Sequence, residues 1–117
     1  MSVRPMVPVS LTPPSIGTSS RDDKLEHAAK LGMDAGINYT TANVVDEVMR
    51  ITDGVGADLT YEHVGGDALQ WGLDALRKDG RLVTCGAHAG EVVPFDVIPF
   101  FRRQISIIGS FVYTRDE

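Results

Sequence analysis

Ala57-Asp58-Leu59-Thr60-Tyr61-Glu62-His63-Val64-Gly65-Gly66, followed after one helical run by Gly80-Arg81-Leu82-Val83-Thr84-Cys85-Gly86, decides how this chain folds. Each stretch reads as a short strand that ends on glycine, and a third, Ile105 to Phe111, carries Ile108-Gly109. Arg81 to Cys85 is largely apolar, as expected of a strand covered on both faces in a parallel sheet. Strands that alternate with helices of about ten residues imply right-handed βαβ crossovers. Glycine at the carboxyl end of such strands is where a doubly wound sheet lets a ligand approach the backbone, so the pattern points to a nucleotide site.

Working outward toward the N-terminus, Asp67 is expected to cap a helix carrying Leu69, Leu73 and Leu76, with Gly80 ending it. Asn43 caps an earlier helix whose Val44, Val45, Val48 and Met49 form an apolar stripe, closed by Asp53-Gly54. Gly36 to Tyr39 is a strand; before it, Ser20 with Asp23 resembles a capping box, Leu25, Ala28 and Ala29 mark a helical face, and Gly32 terminates it. Ser15 to Thr18 is a short strand. Residues 1–15 hold four of the six prolines and read as an extended arm, leaving 16–117 as the folded domain. Toward the C-terminus, Pro94 starts a short helix limited by Pro99, and Ile105 to Phe111 forms a last strand with no helix after it.

The 117 residues fit one domain with one core. A net charge of -5, with only Arg102-Arg103 adjacent, argues against nucleic-acid binding. No apolar run is long enough to span a membrane, and the early prolines interrupt any signal-peptide core. The single cysteine, Cys85, forms no internal disulfide and suits a reducing, cytoplasmic setting. Cys85 reads as a buried, inert thiol, His63 as a structural residue at a strand end, and Trp71 as core or subunit contact. The Pro94-Phe95 and Phe100-Phe101 cluster is either core or exposed apolar surface.

Thr18-Ser19-Ser20 with Lys24-Leu25, Leu31-Gly32, Ile37-Asn38-Tyr39, Asp53-Gly54, Gly56-Ala57-Asp58, Val64-Gly65-Gly66, Gly80-Arg81-Leu82-Val83 and Gly86, in that order and spacing, resemble the nucleotide-binding domain of the medium-chain dehydrogenase/reductase family. The zinc-type alcohol dehydrogenase and quinone reductase branches are the most similar. The resemblance covers roughly residues 16 to 117 and implies the later part of a Rossmann domain, an α/β doubly wound parallel sheet of about five strands. It also implies NADP(H) or NAD(H) as hydride carrier for an alcohol, aldehyde or quinone-like substrate. At the end of the second family strand, hydroxyls and a cation favour a 2′-phosphate where a carboxylate would favour NAD. That place reads Thr18-Ser19-Ser20-Arg21, with Lys24 and Tyr39 nearby, which leans to NADP even though Asp22 and Asp23 would repel a phosphate. Val64, Gly65, Gly86, Ala87 and His88 match loops along the nicotinamide end, and Ser110-Phe111 the last strand end. Gly65-Gly66 has a second reading, as a turn into the Asp67-capped helix.

The central first βα unit, with its G-x-G-x-x-G turn, has no counterpart in the sequence. In the usual strand order 3-2-1-4-5-6 its strand lies between strands 2 and 4, which are expected either to pair directly or to leave open edges. Met6-Val7-Pro8-Val9 is too short, and Pro8 too poor a donor, to replace it. Dinucleotide binding is therefore expected to be weak or lost, and the catalytic domain that holds most of the family's zinc ligands has no match here. His27, His63, His88 and Cys85 lack metal-ligand spacing, so neither a catalytic residue nor a metal ligand is assigned. The expected function is a portion of an NADP(H)-linked oxidoreductase, inactive alone. The alternatives are a non-catalytic module that self-associates through the Ile105 to Phe111 edge or pairs with a full-length relative, and a truncated product with no function of its own.

Overall fold

The computed structural model describes residues 14–111 together with the backbone of Ser2 and Val3. In chain order it contains β1 (Ser2–Val3), β2 (Ile16–Ser19), α1 (Asp22–Lys30), β3 (Ala35–Asn38), α2 (Val44–Ile51), β4 (Ala57–Glu62), α3 (Gly66–Asp74), β5 (Leu76–Thr84), α4 (Val97–Arg102) and β6 (Ser106–Gly109). The α/β alternation and the parallel pairing of successive strands are those expected of part of a Rossmann-like domain. β2 pairs with β3, β4 with β5 and β5 with β6, all parallel.

β2 and β4 do not pair. The strands divide into a two-stranded sheet, β2-β3, and a second sheet ordered β1-β4-β5-β6. Of the two outcomes anticipated for the central gap, direct pairing of β2 and β4 is not observed, and the edge of β4 is left open only in part. Ser2 and Val3 of the arm lie antiparallel on the edge of β4, opposite Leu59 and Ala57. Met6 to Val9 fall outside the described residues, and the last strand, expected over Ile105 to Phe111, spans Ser106–Gly109.

Side chains join the two sheets where the backbone does not. Ile16 and Ile37 of the first sheet pack with Val44 and Val48 of α2 and with Ala57 and Ala75 of the second in one buried cluster. Leu73, Leu76, Leu82 and Ile105 form the other, with Phe100 against them. The Thr60 hydroxyl donates to the Gly72 carbonyl at 3.0 Å, pinning α3 to β4 where glycine lets the helix approach. α2 and α3 thus share one face of the sheets. α1 covers the opposite face over β2 and β3, where Leu25 and Met33 pack over Gly36 and Gly17.

Several local expectations change. Ser20 is not the cap of α1: Arg21 holds that position without a side-chain cap, because the Ser19 hydroxyl accepts from the Arg21 N–H at 3.2 Å and the helix starts one residue later. Of its expected apolar face, Leu25 and Ala28 are half-buried and Ala29 is exposed. Asp67 lies inside α3, whose cap is Gly65. Leu76 belongs to β5 and not to the helix, since the Ala57 N–H donates to the Ala75 carbonyl at 2.8 Å and draws the chain into the ladder. Arg103, bonded to the Leu76 and Leu73 carbonyls, satisfies that helix end in place of Gly80. Asp96, not Pro94, caps α4 by accepting from the Ile98 N–H at 3.2 Å. The Asn43 cap stands, its side chain accepting from the Asp46 N–H at 3.0 Å. The aromatic cluster divides: Phe100 packs against the core and meets Phe95 edge to face at 5.0 Å, whereas Phe95 and Phe101 are exposed.

Candidate functional site

The carboxyl ends of β2, β3 and β4 face one cleft of about 540 Å³. Thr18, Ser19 and Ser20 enter from the end of β2, Lys24 from the first turn of α1 and Tyr39 from just beyond β3. Across from them stand Tyr61, Glu62, His63, Val64, Gly65 and Gly66, with Asp67, Ala68 and Trp71 of α3 and Ala89 completing the lining. Seven of the residues singled out in the sequence are therefore brought together: Thr18, Ser19, Ser20, Lys24, Tyr39, Val64 and Gly65.

Arg21 is turned to other work. Its guanidinium grips the Asp23 carboxylate through Nε at 2.9 Å and Nη2 at 2.5 Å, and it does not line the cleft. Lys24 is the one lysine or arginine among the lining residues. Gly86, Ala87 and His88 follow β5 on a loop that reaches the cleft only through Ala89. Ser110 and Phe111 follow β6, two strands from β4, and lie outside the lining.

The glycines of this region have a cause that the sequence did not disclose. Gly65 has φ of 75°, and a Cβ there would lie 2.4 Å from the Gly90 carbonyl oxygen. A Cβ on Gly86 would lie 2.4 Å from the His63 carbonyl oxygen. Close packing between the loops after β4 and β5 requires glycine at both positions, with or without a ligand. The turn reading of Gly65-Gly66 thus has direct geometric support.

Glu62 and Trp71 gain roles beyond the sequence reading. Glu62 is buried at the end of β4, and its carboxylate accepts from the Val64 N–H and, at 2.8 Å, from the Gly65 N–H. That carboxylate fixes the turn leading into α3; an acidic residue two positions before Val-Gly-Gly, where backbone N–H groups need an acceptor, was the available signal. Trp71 packs against the core cluster and meets Tyr39 with ring centroids 5.6 Å apart, making a wall of the cleft.

Cys85 is half-buried and not, as expected, fully buried. It shares a hydrogen bond of 3.0 Å with the Tyr61 hydroxyl. That bond, then charge repulsion from the thiolate, then slight desolvation hold the tyrosine above its usual ionisation range.

Residues 15–117 match the family of zinc-binding dehydrogenases. The chain belongs to this family. It corresponds to the later, Rossmann part of the medium-chain dehydrogenase/reductase architecture, and the family is one of oxidoreductases that bind a dinucleotide. A 2-haloacrylate reductase of Burkholderia sp is 38% identical over 100 residues, covering 86% of this chain and 29% of the relative. The solved benzyl alcohol dehydrogenase of Acinetobacter calcoaceticus superposes with a TM-score of 0.75 at 31% identity, over 82% of this chain and 27% of its own. A Pseudomonas syringae quinone oxidoreductase gives 0.76 at 28% identity, over 83% and 30%. This member of the zinc-binding dehydrogenases thus spans under a third of the length of these relatives.

The residues of the cleft fit one end of a dinucleotide: hydroxyl donors and a cation at the β2 end, an aromatic pair on the wall and a tight glycine turn opposite. Among the described residues no three His, Cys, Asp or Glu side chains gather as a metal would require. Nor is any described helix long and apolar enough to cross a membrane.

Proposed function

We propose that residues 16–117 are a portion of the nucleotide-binding domain of an NADP(H)-linked cytoplasmic oxidoreductase acting on an alcohol, aldehyde or quinone-like substrate, preceded by an arm, 1–15, whose Ser2 and Val3 pair with its sheet. The observation that carries this reading is the convergence of Thr18, Ser19, Ser20, Lys24 and Tyr39 on one cleft wall facing Val64 and Gly65. When bound, NADP(H) supplies hydride transfer. The hydroxyls of Thr18, Ser19 and Ser20 donate to a phosphate at the ribose 2′ position, Lys24 supplies its countercharge, and Tyr39 closes the side against Trp71. Arg21, already paired with Asp23, contributes less than the sequence suggested.

Glu62 and Asp67 give the opposite wall a negative character, which disfavours a phosphate there and directs it toward Lys24. The pyrophosphate has no Gly-rich turn among these residues, so binding is weak and the isolated 117-residue protein does not turn over substrate.

Calorimetric titration of the protein with 2′,5′-ADP and with 5′-AMP tests the cofactor preference. An advantage of about tenfold for 2′,5′-ADP, abolished in Lys24→Ala, corresponds to one charge-assisted contact of about 1.4 kcal/mol. Equal binding of the two nucleotides overturns the NADP preference, and measurable alcohol or quinone turnover with NADPH overturns inactivity.

A second reading, that the chain works as an interaction module, is favoured by β6: all four of its residues are exposed and it is the last strand of its sheet. Sedimentation is expected to show concentration-dependent self-association through this edge or binding to a full-length relative. Strictly monomeric behaviour in both experiments removes it.

A further inference from the structure

We infer that a second cavity, between the last turn of α3 and α4, binds a small arylalkyl ammonium ion. Its volume is about 310 Å³, at the lower end of the range for small-molecule sites. It shares no lining residue with the nucleotide cleft, so the inference does not depend on which nucleotide that cleft prefers. Leu73 and Ile105, each only 7% exposed, belong to the second core cluster and give the cavity an apolar floor. Phe95 and Phe100, meeting edge to face at 5.0 Å, give it an aromatic wall. Phe100 is held against the core, whereas Phe95 stays 44% exposed. A ligand ring laid on this pair removes apolar surface from water and adds an aromatic contact.

The charges of the lining select the ligand's other end. Asp74 comes from α3 and Asp96 from the cap of α4. Asp74 accepts from the Gln70 amide through Oδ1 at 2.9 Å, and Asp96 from the Ile98 N–H through Oδ1 at 3.2 Å. Among the described residues neither Oδ2 has a partner, and each has room to accept a donor. Asp74 also stands in the last turn of α3, where the helix dipole opposes an anion and no basic residue offsets it. Arg103 is the only Lys or Arg of the lining, and its two terminal nitrogens already donate to the Leu73 and Leu76 carbonyls. Two carboxylates against one committed guanidinium leave a negative charge in excess.

Other ligand classes fit less well. A bare divalent cation such as calcium takes six to eight oxygens, and two carboxylates on an apolar floor do not supply them. A carboxylate ligand meets repulsion from both aspartates, and a neutral one leaves both oxygens without a donor. Because Asp74 and Asp96 are exposed, either ion pair alone is worth at most about a fivefold gain in affinity. The ring must therefore carry much of the binding, while the ammonium group decides which apolar ligand is taken. The aromatic wall favours an aryl group over an alkyl chain, and a ring face attracts the ammonium as well.

The test is titration of the isotope-labelled 117-residue protein with 2-phenylethylammonium, followed by the amide resonances. Saturable shifts are expected at Gln70, Leu73, Asp74 and Phe95, with Ser19 and Lys24 of the nucleotide cleft unmoved. The near-isosteric alcohol 2-phenylethanol should bind about fivefold or more weakly, and 3-phenylpropionate more weakly still. Asp74→Asn and Asp96→Asn keep the acceptors for Gln70 and Ile98, and Asn is itself a good helix cap, so both variants keep the fold. Each should lower amine affinity about threefold to fivefold and leave 2-phenylethanol binding unchanged. Equal binding of the amine and the alcohol overturns the inference, as does undiminished amine binding when both aspartates are replaced. Tighter binding of 3-phenylpropionate overturns it in favour of an anion held by Arg103. Shifts confined to the nucleotide cleft, or no saturable shift at millimolar amine, also overturn it.

Discussion

The two sheets of this molecule are built from the same kind of βαβ unit yet hold their places by different means. β4, β5 and β6 are tied by a continuous parallel ladder and backed by α3 and α4, with Leu82 fully buried between them. β2 and β3 share one ladder of four residue pairs and, among the described residues, reach the second sheet through side chains around Ile16, Ile37, Val44 and Val48 and through the contact of Tyr39 with Trp71. The second sheet therefore carries the rigid turns, Gly65 and Gly86, and the first carries the hydroxyls and Lys24. The two walls of the cleft thus belong to separately laddered sheets.

The largest effect is expected where that side-chain bridge is cut. Ile37→Ala removes a residue only 3% exposed, at a cost of about 2–5 kcal/mol. If the bridge makes the sheets one cooperative unit, hydrogen exchange rises together in 35–38 and in 82–84; if only 35–38 loosen, the sheets are independent and the comparison sharpens into two folding units. Glu62→Ala comes next. It strips the acceptor from the Val64 and Gly65 N–H groups and is expected to cost about 1.5–3 kcal/mol by denaturant melting, with loosening confined to the turn before α3. Asn43→Ala, at the joint between the sheets, should cost about 1 kcal/mol through the lost cap of α2. A loss well below that would mean the apolar stripe of α2 alone fixes its start.

Elements set by local chemistry were legible in the sequence, whereas those set by pairing at a distance were less so. The Asn43 cap, the Asp53-Gly54 turn with φ of 52° and 82°, and the strand-helix order each follow from residues within one turn of one another. Ser20 and Asp67 misled because a good capping residue announces a helix start only within a residue or two, and competing bonds from Ser19 and Glu62 decided the register. Leu76 misled because its helical spacing from Leu73 is compatible with a strand once Ala75 bonds to Ala57. Within the cleft, Thr18, Ser19, Ser20, Lys24 and Tyr39 were found because they cluster in sequence around two strand ends. Glu62 and Trp71 were not, since their roles depend on a turn and an aromatic partner that only the folded chain brings close.

The smallest expected effect tests the second sheet on its open face. The Tyr61 hydroxyl and Cys85 thiol share a hydrogen bond, and Cys85 raises the tyrosine's ionisation above its ordinary value of about 10. Because the folded-state value is the higher one, the contribution to stability is present below the ordinary tyrosine range and is lost as pH rises through the raised value. Cys85→Ala removes both the bond and the repulsion, so phenolate absorbance, read against Tyr61→Phe to isolate this residue, should titrate at lower pH. Both groups are partly open to solvent, and stability near neutral pH should hardly change. Should the titration stay where it is, the pair is not formed in solution and Tyr61 is turned toward another neighbour.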